Sequence, residues 1–395
     1  MLDWVIIGGG IHGVHIAARL IGEAGVDSSQ LRIVDPGERL LERWRTFTST
    51  TGMRHLRSPS VHNLDMNPWS LMQFAGKRKQ LKKELFAAPF NRPQLDVFND
   101  HCDKVVGKFG LSKVHVRAKV DQCSLSCAHV SVVLSTGEQL STSNVVLAMG
   151  STEQPIWPEW APAADSRVQH VFNSTFDGWP RTHERVVVVG GGITAGQVAL
   201  RLVDEGHDVQ VVSRHGLREH QFDSDPGWLG PRHMNGFQRE PDVDKRRAMI
   251  SNARHNGSVP PDVRRALNHA IGKGQIRWYE GQVEELKREK KGFTMNLATG
   301  DALEVDRVLL ATGFAGHRPG GVLVDQLVET ESLPCANCGY PIVDKTLRWH
   351  PRVYVSGPLA ELELGPSARN IAGARRAADR LVAAARSARQ GSGRV

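Results

Sequence analysis

The sequence is short of cysteine and of long apolar runs, and each shortage excludes a class of protein. Its 395 residues contain five cysteines, an odd number at low density, which fits a reducing compartment better than a disulfide-rich secreted domain. No stretch approaches the roughly 18 consecutive apolar residues of a membrane-spanning helix, and the N-terminus lacks the pattern of a signal peptide. We therefore expect a cytoplasmic protein with no membrane partner.

The charge is biased toward basic residues, without a motif that would explain the bias by nucleic-acid binding. The formal net charge is +8, and part of the excess comes from arginines between Arg369 and Arg394. A solvated helix face, or attraction of an anionic cofactor, accounts for such a bias more simply than a nucleic-acid partner does. The chain length predicts two or three domains with an ample core.

A glycine-rich turn close to the N-terminus indicates a dinucleotide-binding fold. An apolar run at 5–7 meets Gly8, Gly10 and Gly13 in the spacing GxGxxG, and a helical apolar pattern follows. In this motif Gly8 allows the tight turn, Gly10 allows a pyrophosphate to approach the backbone, and Gly13 lets the helix pack on the strand. The next strand ends at Asp35, at the separation where an acid meets a ribose hydroxyl. The alternative is a glycine-rich turn in an unrelated α/β fold.

The same pattern recurs in the middle of the chain, with a different strand end. The second turn has the spacing GxGxxA, and its members are Gly190, Gly192 and Ala195. The strand after it ends in Ser213-Arg214 instead of an acid. Asp35 would repel a 2′-phosphate whereas Arg214 would accommodate one, so we predict FAD at the first turn and NADPH at the second. If Arg214 is only a solvated side chain, NADH would serve equally.

Two similar strand ends predict that the chain crosses twice between the domains. The strand at 145–149 ends before Gly150, which would return the chain toward the cofactor, and the strand at 308–311 ends before Thr312 and Gly313. Prolines at 155, 158 and 162 mark a linker after the first of these strands. The linker is therefore a candidate domain boundary.

The fold predicted from these patterns is an α/β fold with two dinucleotide-binding (Rossmann-like) domains. Residues 1–155 and 313–395 would form the FAD-binding domain, and residues 156–312 would form an inserted NADPH-binding domain. The segment 46–67 has no clear period. Its part 53–59 would reach over the cofactor, unless it is an ordinary surface excursion.

Weaker patterns assign the remaining segments. A basic helix is predicted at 77–85, and few helix signals are found between 221 and 240. Short strands are predicted at 340–343 and 353–356. An alanine-rich helix from 371 to about 389 would close the fold.

Two dinucleotide folds, one split around the other, resemble the two-dinucleotide-fold flavoproteins. Within that group the sequence is similar to the class B flavin monooxygenases, and in particular to the bacterial flavoproteins grouped with the lysine and ornithine N-hydroxylases. The resemblance covers nearly the whole chain. The motifs that carry it are Trp44, Arg57-Ser58-Pro59, Arg92-Pro93, Ala311-Thr312-Gly313 and Gly365-Pro366-Ser367-Ala368-Arg369-Asn370.

The resemblance implies an activity, its cofactors and its site residues. NADPH would reduce FAD, and a C4a-(hydro)peroxyflavin would transfer one oxygen atom of O2 to the nitrogen or sulfur of a small amine or sulfur compound. Asn370 and Arg369 are the candidate catalytic groups near flavin N5, with capping of the last helix as the alternative role. Candidate cofactor contacts besides the two glycine turns are Trp44, Arg57, Gly150, Thr312, Gly313 and Pro366. The resemblance does not decide whether the protein forms a homo-oligomer.

A pair of cysteines leaves a second chemistry open. Cys335 and Cys338 form a CxxC motif that can cycle between dithiol and disulfide, so an NAD(P)H-dependent flavin or disulfide reductase is the first alternative. The pair could also complete a zinc site with Cys123 and Cys127, but their spacing is irregular and no metal is expected. The other alternative is a flavoprotein that binds FAD as a non-catalytic sensor.

Overall fold

The computed structural model describes residues 1–76, 84–174 and 176–392 and is built on two large sheets. The first sheet takes its strands from both ends of the chain, and the second takes them from the middle. This arrangement confirms the predicted α/β fold with two dinucleotide-binding units. The basic helix predicted at 77–85 lies almost wholly outside the described residues.

The first sheet is centred on the strand that leads into the first glycine turn. Its eight strands are β1 (Leu2–Ile7), β2 (Leu31–Asp35), β5 (His115–Arg117), β6 (Val120–Leu125), β7 (Val130–Leu134), β8 (Gln139–Leu147), β19 (Arg348–His350) and β20 (Val353–Val355). The order is β19-β20-β8-β1-β2-β5, and an antiparallel extension of β7 and β6 lies beside β8. Strand β1 is parallel to both neighbours, with Ile7 opposite Val34 and Leu147.

The second sheet is wholly parallel and is centred on the strand that leads into the second glycine turn. Its strands are β9 (Val168–His170), β10 (Arg185–Val189), β11 (Asp208–Ser213), β14 (Ile276–Glu280) and β18 (Arg307–Leu310). Their order is β14-β11-β10-β18-β9. The valines at 186–189 of β10 are all buried, because a parallel sheet is covered on both faces and its central strand becomes one apolar run.

Smaller strands and the helices complete the fold. The strands outside the two sheets are β3 (Phe86–Ala87), β4 (Arg92–Pro93), β12 (Arg218–Glu219), β13 (Ser258–Val259), β15 (Val283–Arg288), β16 (Phe293–Leu297) and β17 (Ala302–Val305). The α-helices are α1 (Ile11–Gly22), α2 (Glu42–Thr50), α3 (Ser70–Phe74), α4 (Leu95–Lys108), α5 (Ile193–Asp204), α6 (Pro231–Arg239), α7 (Val243–Ala253), α8 (Pro261–Gly272), α9 (Gly321–Glu331), α10 (Glu361–Leu364) and α11 (Ile371–Ser392). Within the described ranges, no helix combines the length and apolar character needed to cross a lipid bilayer.

The first and last helices pack against each other on the first sheet. Helix α1 buries Ile16, Ala17 and Leu20, and α11 buries Ala378 and Leu381 in the same core. The alanine-rich side of α11 fits this contact because small side chains let two helix backbones approach closely. The structure thus confirms the predicted closing helix.

Three predictions from the weaker patterns are wrong. Residues 46–50, predicted to be irregular, belong to α2, and residues 231–239 form α6. Helix α6 begins at Pro231, and proline at the first position starts a helix well, since its missing N–H has no partner there anyway. Residues 340–343 form no strand, only a single bridge between Cys335 and Pro341.

The two chain crossings lie side by side. Pro155 and Phe314 form an antiparallel bridge, and the Ile156 N–H donates to Gly313 O at 2.9 Å. The Ala315 N–H donates to Gln154 O at 2.8 Å. These contacts bring the two segments predicted as crossings next to each other, and the division into domains stays a prediction.

The glycine turn gives a test of the first fold unit. We expect Gly13→Ala to lower the free energy of unfolding by about 2 kcal/mol or more, because the added Cβ would overlap Gly8 O, a backbone atom that cannot move away cheaply. Gly107→Ala is the control: this exposed helical glycine has open space at its Cβ position, so alanine should raise stability by about 0.5–1 kcal/mol. Urea unfolding measures both variants, and equal effects would contradict the packing argument.

Candidate active site

The first glycine turn combines two tight contacts with one open position. Gly8 has φ of +114°, and a Cβ there would lie 2.6 Å from Ala148 O at the end of β8. Gly13 presses on the backbone of Gly8, whereas a Cβ at Gly10 would meet no atom within 4 Å. The open position lies at the N-terminus of α1, where free N–H groups and the helix dipole favour a phosphate.

The acid at the end of β2 is held at the mouth of this turn. Asp35 Oδ2 accepts the Gly9 N–H at 2.7 Å, and Asp35 Oδ1 accepts the Gly37 N–H at 2.9 Å. Each carboxylate oxygen keeps a free lone pair for a further donor. The carboxylate is thus oriented beside the turn in the manner predicted for a ribose contact.

The second turn repeats this geometry residue by residue. Gly190 packs against Ala311 O, and Ala195 is buried beneath it. A Cβ at Gly192 would meet only Gly257, at 3.6 Å, so the position equivalent to Gly10 again faces space. The second turn is therefore also shaped to admit a phosphate group at a helix N-terminus.

Strand register identifies the residue that corresponds to Asp35. Ile7 pairs with Val34 in the first sheet, and Val189 pairs with Val212 in the second, so the next residue is Asp35 in one case and Ser213 in the other. Asp35 lies against Gly9 and Ser213 lies against Gly191, and a Cβ added at either glycine would overlap it. The acid of the first cleft is thus replaced by Ser213 in the second. The predicted counterpart of Asp35, Arg214, is therefore one residue too late.

Arg214 follows the serine and is free to meet a ligand. Its side chain is exposed and has no hydrogen-bond or ion-pair partner within the described part of the chain. The His215 ring fills the space beside Gly191 and Gly257, and its Nδ1 lies 2.8 Å from Gly216 O. The position of the acid is thus taken by a neutral serine followed by a free guanidinium, while Glu280 lies opposite Ser213 on the neighbouring strand β14. A contact of Arg214 with a 2′-phosphate stays a prediction.

A histidine inside the first turn connects that turn to the start of the last helix. His12 Nδ1 lies 2.8 Å from Ser356 Oγ, and Nε2 is buried without a partner among the described residues. Burial lowers the pKa of His12 to about 4, and polar backbone groups of Asn370 and Arg369 offset part of this effect. The imidazole is therefore neutral at pH 7.

Asn370 and Arg369, the predicted catalytic pair, have different surroundings. Asn370 Oδ1 accepts the Gly373 N–H at 3.0 Å and so caps α11, while Nδ2 has no acceptor in the described residues. Arg369 donates from Nε and Nη2 to the Glu361 carboxylate, at 2.7 and 2.9 Å, and from Nη2 to Tyr340 OH. The Asn370 amide can still donate to a ligand, whereas two of the three guanidinium nitrogens of Arg369 donate to protein acceptors. The catalytic roles of both residues stay predictions.

Glu361 is the centre of a buried cluster that the sequence did not reveal. Its side chain is fully buried and forms ion pairs with Arg247, Arg254 and Arg369. Burial alone would raise the pKa of Glu361, but hydrogen bonding to Arg369 and the three positive charges hold it below its usual value. An acid inside the apolar run 357–364 was the one available signal, since a buried carboxylate needs partners.

The predicted cofactor contact Arg57 serves as a contact between the two units. Its guanidinium donates to the carbonyls of residues 220–222, to Asp223 Oδ1 at 2.6 Å and to Ser258 Oγ at 3.0 Å. All three guanidinium nitrogens thus have protein acceptors. A direct cofactor contact of Arg57 stays a prediction that this geometry does not favour.

The other predicted cofactor contacts have protein partners or lie in loops between elements. Trp44 donates from Nε1 to Asn99 Oδ1 at 3.1 Å, and Asn99 borders a cavity of about 450 Å³ between α2 and α4. Thr312 Oγ1 donates to Ile156 O within the chain crossing. Gly150 and Pro366 lie in the segments that follow β8 and α10, on the side of the first turn. The cofactor roles of these residues stay predictions.

A second set of contacts fixes the inserted unit against the first one. Arg201 of α5 donates from Nη1 to the carbonyls of Ser49 and Thr50, both at 3.1 Å, at the end of α2. Phe47 and Phe172 lie 4.7 Å apart across the same junction, measured between ring centroids. Helix α2 thus joins the first cleft to the helix that opens the second.

Comparisons with known proteins agree with this fold. The sequence profile of the family described as pyridine nucleotide-disulphide oxidoreductase matches residues 5–254. A search of the curated proteins finds no matching sequence.

The solved structures that resemble this chain include hydroxylases and a reductase. The ornithine N-hydroxylase of Kutzneria sp. 744, described with FADred, NADP+ and L-orn, has a TM-score of 0.79 at 18% identity, covering 98% of this chain and 100% of that chain. L-lysine 6-monooxygenase from Pseudomonas syringae has 0.73 at 19%, covering 98% and 100%. The bacillithiol disulfide reductase of Bacillus cereus has 0.64 at 17%, covering 98% and 99%. At these identities the similarity shows the fold.

The buried histidine of the first turn predicts a loss of stability in acid. The unfolded chain takes up a proton near the ordinary histidine pKa of about 6.5, whereas His12 in the fold resists protonation down to a pKa of about 4. Stability from this group is therefore complete above the unfolded pKa and is lost as pH falls from about 6.5 to about 4, by about 2 kcal/mol at pH 5. We expect His12→Gln to remove only the share of this pH dependence that comes from one histidine, because burial also lowers the pKa of His15 to about 3 and of His62, His101 and His170 to about 4. Urea unfolding measures the change.

The hydroxyl partner of His12 supplies the control. Ser356→Ala removes the hydrogen bond but leaves the burial, so it should lower stability at every pH and keep the wild-type slope. A slope unchanged in His12→Gln would show that other groups cause the acid sensitivity.

Proposed function

The chain belongs to the pyridine nucleotide-disulphide oxidoreductase family, and we propose that it is an FAD- and NADPH-dependent monooxygenase that oxygenates a nitrogen or sulfur atom of a small molecule. The observation that carries this proposal is the pairing of two glycine turns with different strand ends. The first has Asp35, and the second has Ser213 followed by free Arg214. One cleft is thus suited to a ribose without phosphate and the other to a 2′-phosphate.

The residues around the first turn fit FAD. The open position at Gly10 and the N-terminus of α1 would hold the pyrophosphate, and Asp35 would bind the adenosine ribose. The Asn370 amide, at the start of α11, has a free donor and lies in the segment that meets His12. Bound FAD would supply hydride acceptance and oxygen activation, which no protein side chain provides.

The residues around the second turn fit NADPH. Gly192 and the N-terminus of α5 would hold its pyrophosphate, and Arg214 would pair with its 2′-phosphate. The contacts of Arg57 and Arg201 hold the two clefts together across the junction. We propose residues 1–155 and 313–395 as the FAD domain and residues 156–312 as the NADPH domain.

The substrate proposed first is an amine. The structural neighbours named as an ornithine N-hydroxylase and an L-lysine 6-monooxygenase act on amines by their names, and both have higher TM-scores than the named disulfide reductase. Sulfides come second because the same oxygen transfer serves a soft sulfur nucleophile.

All five cysteines are free, which supports a reducing cytoplasm as the compartment.

Oxygen labelling tests the proposed reaction. Purified protein reconstituted with FAD would be mixed with NADPH, labelled O2 and a panel of primary amines and sulfides. We expect one labelled oxygen in the product for each NADPH oxidised when the right compound is present. NADPH consumption that instead tracks the reduction of added disulfides, with no labelled product from any compound, would favour the reductase.

Asn370 provides a matched pair of variants for the same assay. Asn370→Asp keeps the oxygen that caps α11 but lacks the N–H donor, whereas Asn370→Ala lacks both. If the donor contacts the flavin, both variants lose turnover and only the alanine variant loses about 1 kcal/mol of stability. Full activity in Asn370→Asp would reduce Asn370 to its capping role.

Coenzyme preference tests the assignment of the second cleft. We expect Arg214→Ala to lower kcat/KM for NADPH by about 10- to 100-fold, the value of a charge-assisted contact, and to leave kcat/KM for NADH unchanged. Arg218→Ala is the matched control, because Arg218 is exposed in the same segment but lies beyond the strand end. Equal losses with both coenzymes would place the 2′-phosphate elsewhere.

A further inference from the structure

Cys335 and Cys338 lie in a tight turn that the proposed function does not use. The Gly339 N–H donates to Ala336 O at 2.8 Å, and the Ala336 N–H donates to Tyr340 O at 2.9 Å. The chain reverses its direction within this turn. Cys335 is half-buried, and Cys338 is exposed. Both thiols are free.

Arg247 points a guanidinium N–H at the exposed sulfur. Its Nε donates to Cys338 Sγ at 3.4 Å, and its guanidinium carbon lies 3.8 Å from the ring centroid of Tyr340. The same guanidinium is anchored by the buried Glu361 carboxylate through Nη1. A fixed positive charge beside the sulfur stabilises the negative charge that a thiol carries when it reacts as a nucleophile.

A second arginine lies on the other side of the turn. A Cβ at Gly339 would come within 3.9 Å of Arg318 Nε, and the Arg318 guanidinium is tied to Asp325. Arg247 Nη2 and Arg318 Nη1 are both buried without an acceptor among the described residues. Two partly unsatisfied guanidiniums therefore flank the turn, an arrangement that favours a reacting anion.

The pKa of the Cys335 thiol depends on the charges around it, including that of Cys338. Burial raises the pKa of the Cys335 thiol, the positive charge of Arg318 lowers it, and the charge of Cys338 raises it further. The net rise keeps Cys335 a thiol at pH 7. The exposed member is thus the one placed to attack, and the half-buried member is the one placed to resolve.

We propose that Cys335 and Cys338 form a dithiol that a hydroperoxide oxidises to an intramolecular disulfide. The Cys338 sulfur attacks one peroxide oxygen and breaks the O–O bond, which gives a sulfenic acid and releases water or an alcohol. The Cys335 sulfur then displaces the sulfenic hydroxyl as a second water and forms the S–S bond. Two thiols are oxidised by two electrons, and one peroxide is reduced. This inference does not depend on the proposed monooxygenase activity.

Peptide mass spectrometry after peroxide treatment tests the proposal. Trypsin cleaves after Arg307 and Lys345 but not before Pro319, so the fragment 308–345 carries both cysteines and no other. The full-length protein would be treated with one equivalent of hydrogen peroxide and then alkylated under denaturing conditions. We expect this fragment to lose both alkylation sites and to become two hydrogen atoms lighter than the unalkylated peptide. Alkylation of both sites, or oxygen added to Cys338 without loss of the second site, would overturn the proposal.

The rates of thiol loss test the part played by arginine. Cys127 is an internal standard, because its thiol is also exposed. We expect Cys338 to react at least about 10-fold faster than Cys127, Arg247→Gln to remove most of that advantage and Arg247→Lys to restore part of it. Arg318→Gln gives an independent check if loss of the Glu361 contact unfolds Arg247→Gln. Equal rates for Cys338 and Cys127 in the wild type would contradict the assignment.

Cysteine variants separate the two thiols. In Cys335→Ser, treated Cys338 should accumulate as a sulfenic acid that a sulfenic-acid reagent captures, because the resolving thiol is gone. In Cys338→Ser, Cys335 should remain alkylatable after the same treatment. Oxidation of Cys335 in that variant at the wild-type rate would reverse the assigned roles.

Discussion

The structure depends on a backbone contact that is made twice. In each glycine turn the first glycine lies against the carbonyl at the end of a parallel strand, Gly8 against Ala148 and Gly190 against Ala311. A side chain at either glycine would push that strand away. The same two strand ends lead directly into the chain crossings at 155 and 314. The close contact therefore fixes the depth of each cleft and also the place where the two units meet.

Arginine holds the parts around these clefts in place. Arg57 and Arg201 bind mainly backbone carbonyls across the junction, and Arg57 also pairs with Asp223. Glu361, by contrast, neutralises one of three guanidiniums that surround it. The region next to the last helix thus keeps an excess of positive charge inside the fold. This excess, and not a solvated surface alone, accounts for part of the basic composition.

The sequence was sufficient where a short local pattern has a single geometric solution. The two glycine turns and the strands before them were placed correctly because each is fixed by neighbours within a few residues. The strands predicted to end at 149 and 311 end at Leu147 and Leu310. The replacement of the acid by Ser213 needed the register of two paired strands. Without that register, the sequence pattern pairs Asp35 with Arg214, which is one residue after its true counterpart.

Contacts between distant segments were beyond the sequence. The acceptors of Arg57 are mostly carbonyls more than 160 residues away, and a carbonyl carries no side-chain identity that a pattern could reveal. Arg369 was predicted to act at the cofactor, and the structure shows that it binds Glu361. This contact depends on the packing of α7, α10 and α11, which no local sequence pattern specifies. Helix α6 was missed because it buries only Met234 and Phe237, too few apolar residues for a clear period.

The pairing of the first and last helices has a consequence for how the chain is made. Strands β19 and β20 complete a sheet whose other six strands lie in the first 150 residues, and α11 packs on the first helix beside that sheet. The inserted unit has all its strands between 168 and 310 and can close while the chain is still attached to the ribosome. The N-terminal unit cannot, because the apolar face of α1 stays uncovered until α11 emerges. We therefore expect the second cleft to form first during translation, and the first cleft to form only after α11 has emerged from the ribosome.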